Sequence, residues 1–205
     1  MFRRIIVATA VVLALTMGAA AADSLQGIRI EPEADLSYNR SQDYGGWMRM
    51  NTPYNRCFNV RDQVLQDESE PSAFEFKQPL GSGWHCTVTS GRWKDRYTGT
   101  WQTDPKELDI DHVVPLKEAH RSGAHQWPKS KRREYANYLR DPDHLLAVSA
   151  TENRSKGDKD PAKYMPPNQE YHCTYLRMWV AIKRRWDLTM DEIEAAFIRA
   201  RLVSC

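Results

Sequence analysis

DIDHVVPL, residues 109–116, places two carboxylates and a histidine directly ahead of an apolar pair and a proline. Asp109 and Asp111 fall on one face of a strand, and His112 points the other way while the strand stays regular. An acid and a base can serve one site only if the chain bends there, and the Val114-Pro115 pair supplies the strand's end. HLLAV, residues 144–148, is a second compact apolar strand. SATE follows it, with Ser149 and Glu152 at capping-box spacing. Asn153, near the start of the short helix so begun, offers a neutral oxygen at a fixed place, and Lys156 shares its helix face. Residues 108–156 are therefore predicted as strand, long excursion, strand, short helix.

DIDHVVP, DPDHLLAV and TENRSKGDKDPAKYMPP together resemble the HNH (ββα-metal) nuclease motif. In particular they are similar to an exported HNH family related to the C-terminal domain of GmrSD-type restriction enzymes. CFNVRDQVL, GRWKDRYTG and CTYLRMWVAIKRRW also resemble that family, so the likeness runs from about Tyr38 to the C-terminus. The dipeptide DH alone is a weak signal, whereas the joint pattern is specific.

The resemblance implies roles position by position. His112 would be the general base, and Asp111 and Asn153 the protein ligands of one divalent metal, with Asp109 a further acid beside them. Asn153 also stands in the last catalytic motif position. Oxygen ligands imply Mg²⁺. The middle motif position, usually asparagine, is His144. Either it braces the loop carrying the base or it turns inward as a third ligand, which would favour Mn²⁺, Zn²⁺ or Ni²⁺. Arg154, Lys156 and Arg121 are the expected phosphate contacts. A lone histidine before an apolar run is more often a packing residue, and it is the recurrence of Asp111, Asn153 and Lys156 at family spacing that reverses this for His112. His85, His120, His125 and His172 lack such support and are read as surface or packing residues.

The rest of the chain sets the context. Residues 1–22 carry two arginines, an apolar run from Ile5 to Met17 and small residues, the layout of a secretory signal peptide cleaved after Ala22. Its removal takes 29 basic residues to 27, equal to the 27 acidic ones. Attraction to nucleic acid must then come from local patches such as KSKRR, residues 129–133, rather than from net charge. Residues 23–42 read as a loosely held arm and 43–205 as one nuclease domain. No mature segment is apolar enough to span a membrane.

Helical spacing is predicted from Cys57, over Trp127 to Leu139 and over Gln169 to Trp186. Hairpin structure is expected from Trp84 to Trp101, turning at Ser90-Gly91 and again in RYTGTW. Thr189 and Glu192 suggest a second capping box, opening a last helix with Ile193, Phe197 and Ala200 inward. The last two helices, of similar length and closely connected, should lie antiparallel, pairing Cys173 with Cys205 and leaving Cys57 for Cys86. The expected fold is α+β: a single disulfide-stapled domain with an embedded ββα-metal motif and a C-terminal helical hairpin. The expected function is a secreted (extracellular or periplasmic), monomeric endonuclease acting on DNA, with RNA as a second substrate and low sequence specificity. The alternative is an exported, non-catalytic nucleic-acid-binding protein on the same scaffold.

Overall fold

The computed structural model describes residues 24–51, 57–78 and 85–205. The signal-peptide expectation and Trp84 lie outside the described residues. The helices named below are α1 (Arg40–Asp43), α2 (Val60–Glu68), α3 (Leu116–Arg121), α4 (Lys129–Ala136), α5 (Ala150–Lys156), α6 (His172–Arg185) and α7 (Glu192–Leu202). The strands are β1 (Glu75–Lys77), β2 (Thr87–Ser90), β3 (Trp93–Lys94), β4 (Trp101–Gln102), β5 (Leu108–His112) and β6 (Leu145–Ser149). They pair antiparallel as three ribbons: β1 with β2, β3 with β4 and β5 with β6. The fold is α+β, and β5, β6 and α5 form the ββα unit at its centre.

Strand parity divides the core. Leu108 and Ile110 of β5 and Leu145 and Ala147 of β6 face one cluster with Val60, Val64 and Leu65 of α2 and the buried Trp93. Leu146 and Val148 face the other way, into a larger cluster with Tyr175, Trp179 and Ile182 of α6. Glu68 at the end of α2 accepts from the Ala147 backbone N–H at 2.9 Å, covering an edge of the ribbon. The helix α5 stops at Gly157, where φ is +57°, a region glycine enters without strain.

Both expected disulfides are present, Cys57–Cys86 and Cys173–Cys205. The second joins the start of α6 to the end of the chain just beyond α7, as an antiparallel hairpin requires. Other expectations are corrected. Ser90-Gly91 is not a hairpin turn, because β2 pairs back with β1 and β3 pairs forward with β4. Residues 24–34 are not loose: Leu25 is buried, Ile30 bridges Met190, and Ala34 donates to the Arg121 carbonyl at 3.1 Å. The helix α7 is capped by Asp191 rather than Thr189, and Ile193 and Ala200 face out while Ala195 and Ile198 are buried.

Candidate active site

The site forms where β5 ends. The register sets Asp111 opposite Leu146 and His112 opposite Leu145, so the acid and the imidazole stand on opposite faces of the strand. Both nevertheless line one cavity of about 300 Å³ that Asn153, Tyr38, Arg40 and Lys117 also line. The chain bends at Val113-Val114, directly after His112, and the buried Tyr135 hydroxyl donates to the Val114 carbonyl at 2.7 Å to hold the bend.

Three contacts fix the His112 ring. Trp47 stacks on it with 5.4 Å between centroids and 3° between planes, and Tyr135 lies nearly parallel at 6.4 Å and 12°. Nε2 sits 2.9 Å from the carbonyl oxygen of Ala136, the last residue of α4, whose carbonyl has no partner within the helix. A carbonyl oxygen only accepts, so the network assigns the proton to Nε2. Burial first, and then His144, hold the ring well below the usual histidine pKa. It is neutral at pH 7, with its lone pair on Nδ1.

Asp111 is 4 % exposed and receives two donors, the Tyr97 hydroxyl on Oδ2 at 2.6 Å and the Lys156 ammonium on Oδ1 at 2.9 Å. Lys156 also donates to the His112 carbonyl at 2.9 Å, tying the end of α5 to the end of β5. Burial pushes the Asp111 carboxyl up and the Lys156 ammonium down, and their mutual attraction opposes both shifts. Asn153 donates Nδ2 to Asp109 at 3.1 Å, which leaves its carbonyl oxygen as the acceptor end.

This donor set fits a hard divalent cation. A carboxylate has about four lone-pair positions, of which Tyr97 and Lys156 use two. Asn153 lines the same cavity, and hard cations take amide oxygens while keeping waters. Asp111 is paired with the buried Lys156 ammonium, and the partly exposed Asp109 beside it faces the exposed Arg154 at 3.7 Å.

His144 has the geometry of a brace. Its Nε2 lies 2.8 Å from the Tyr135 carbonyl, so consecutive carbonyls, Tyr135 and Ala136, receive the N–H groups of His144 and His112. The ring is almost fully buried against Tyr135, Tyr138 and Trp186, does not line the cavity, and is held by burial at a pKa of about 4.

Two of the expected phosphate contacts are engaged by acids of the protein itself. Lys156 is fully buried on Asp111, and Arg121 turns to Glu33, Glu118 and Asp158 at 2.9–3.0 Å, so neither ion is available to a phosphate. Arg154 is different, with a side chain 76 % exposed beside Asp109. In the KSKRR run, Arg132 is committed to the carbonyls of Asp43, His125 and Trp127, while Lys129 and Arg133 are exposed. Sequence reasoning missed Tyr97, Trp47 and Arg40. GRWKDRYTG contains Tyr97, but no periodicity marks it, and Trp47 and Arg40 lie far upstream in an unpatterned stretch. Among the described residues, one group of three acids, Glu33, Asp160 and Asp191, comes together away from this cavity. Arg121 pairs with Glu33 and Lys163 with Asp160.

A family model described as GmrSD restriction endonucleases, C-terminal domain, matches residues 59–198. The chain belongs to this family. The matched span holds β5, β6, α5 and the cavity residues Asp111, His112, Lys117 and Asn153, whereas Tyr38, Arg40 and Trp47 lie upstream of it. An uncharacterized secreted protein of Arthroderma benhamiae is similar, at 34 % identity over 181 residues, covering 88 % of this chain and 82 % of that protein. No solved structure matches the chain.

Proposed function

We propose that this chain is an exported, metal-dependent HNH endonuclease that hydrolyses phosphodiester bonds of DNA, and of RNA as a second substrate, with low sequence specificity. The observation that carries this reading is the His112 ring. Its tautomer is fixed by the Ala136 carbonyl, and it lines the same cavity as Asp111 and Asn153.

In this reading Asp111 and the Asn153 amide oxygen hold one divalent metal, Mg²⁺ by the hardness of the donors, with Asp109 contributing charge. When bound, such an ion polarises the scissile phosphate and stabilises the leaving oxygen. The cavity has room for a water beside His112, since a water fills about 30 Å³. Nδ1 accepts a proton from that water as its oxygen attacks phosphorus. The P–O3′ bond breaks, the 3′ oxygen takes a proton from solvent, and the 5′ phosphate remains on the product. Lys156 and Tyr97 keep the Asp111 carboxylate in place, and His144 braces the segment that holds His112.

Export is supported by the layout of residues 1–22, by the two disulfides and by the secreted relative. Among the described residues no helix is long and apolar enough to cross a membrane. The test is supercoiled plasmid incubated with the protein and Mg²⁺, Mn²⁺, Zn²⁺ or Ni²⁺, with and without chelator. Nicked and linear products with 5′ phosphates, lost on chelation, are expected. Plasmid left intact under every metal would instead favour the non-catalytic binder.

A further inference from the structure

The family match begins at residue 59, yet part of the cavity wall comes from upstream of it. Tyr38 and Arg40 line the cavity, and Trp47 stacks on His112. This segment is built in rather than draped over. Tyr44 is fully buried, and Tyr38 packs against Tyr44 and His120 at 6.0 and 5.6 Å between centroids. Asn39 caps α1 by accepting from the Gln42 N–H at 3.1 Å, and Arg132 donates to the Asp43 carbonyl at 3.1 Å. The Met48 N–H is held by Asn137 at 2.8 Å, one residue past the carbonyl that fixes His112.

On this fixed base Arg40 is exposed, with its guanidinium 5.6 Å from the centre of the Trp47 ring. Two cations line the cavity. Lys117 pairs with Asp158 at 2.9 Å, whereas Arg40 has no carboxylate within ion-pair distance among the described residues. A guanidinium presents a rigid fork of donors that matches two phosphate oxygens at once. Lys156 and Arg121, the cations that sequence spacing nominated, are consumed by internal acids.

We propose that Arg40, carried by a segment upstream of the family match, is a phosphate contact for the nucleic acid held at the His112 cavity. The proposal rests on the nuclease reading for the identity of its ligand, and its test separates the two. Binding of a short fluorescent DNA duplex is measured in chelator, so that no turnover occurs, across about 50–200 mM salt. Arg40→Gln is expected to weaken binding about ten-fold and to reduce the magnitude of the slope of log K against log salt by about 0.9. Arg40→Lys should restore the slope, because the charge is kept. Lys77→Gln, an exposed charge on β1, should change neither quantity. An Arg40→Gln protein with wild-type affinity and slope overturns the proposal, as does a Lys77→Gln protein equally impaired or an Arg40→Lys slope that stays reduced. A wild type that cleaves plasmid while Arg40→Gln binds normally leaves the nuclease reading standing. A wild type that cleaves nothing but binds with an Arg40-dependent slope removes the nuclease reading and keeps Arg40 as a phosphate contact.

Discussion

A side chain can act as a base only if its tautomer and its neighbours are settled before substrate arrives, and in this protein a few single contacts do that. The Ala136 carbonyl orients His112, and Lys156 holds both Asp111 and the His112 carbonyl. Lys156→Met removes the cation paired with the buried Asp111 carboxylate. A loss of about 3–5 kcal/mol in chemical denaturation is expected, because the remaining charge is left without compensation. Arg154→Ala, at an exposed position, should leave stability within about 0.5 kcal/mol. That Asp111, His112 and Asn153 come to one cavity was legible because motif spacing is a local property of the chain. The inward turn of Lys156 was not. Helical spacing says which residues share a face, and burial of that face depends on Tyr97 and Asp111, which come from other elements.

At the scale of elements, the strand and helix periods identified β5, β6 and α6, whose apolar residues contribute to the two core clusters. Caps were less legible because several side chains compete for one helix start. Ser149 makes no side-chain cap, and Glu152 accepts from the Tyr164 hydroxyl at 3.1 Å instead. Thr189 donates to the Ser122 carbonyl, and Asp191 takes its place as the cap of α7. The phase of that helix can be checked directly by thermal melts. Ile193→Lys, at a position 70 % exposed, should shift stability by less than about 0.5 kcal/mol. Ile198→Ala, fully buried, should cost about 2–5 kcal/mol. Gly91 explains why the expected turn failed. A Cβ there would stand 2.3 Å from the buried Trp93 ring, so the glycine serves close packing, and Gly91→Ala should destabilise by about 1–3 kcal/mol.

Across the whole molecule, a buried polar knot joins the parts that the sequence could only place in order. Lys183, fully buried on α6, donates to Glu118 of α3 at 2.8 Å and to Glu194 of α7 at 2.7 Å. Burial raises the Glu118 carboxyl, but Lys183 and Arg121 outweigh it and hold Glu118 down at about 2. A carboxyl depressed in the folded state contributes stability above its unfolded value of 4.5, and that contribution is lost as pH falls toward 2. Denaturation curves collected down this range should show stability falling on Glu118's account, and Glu118→Gln should flatten the fall. No sequence pattern marked this knot, because its members come from three separate helices. The site depends on the same assembly, since Arg40, Trp47, Asp111, His112 and Asn153 meet only when α1, β5 and α5 are packed together. The most direct test is plasmid cleavage with Mg²⁺ by His112→Ala, with the disulfides and circular dichroism checked in parallel. Loss of cleavage in a protein that keeps its fold and both disulfides is expected, and cleavage at the wild-type rate would contradict the assignment of His112 as the base.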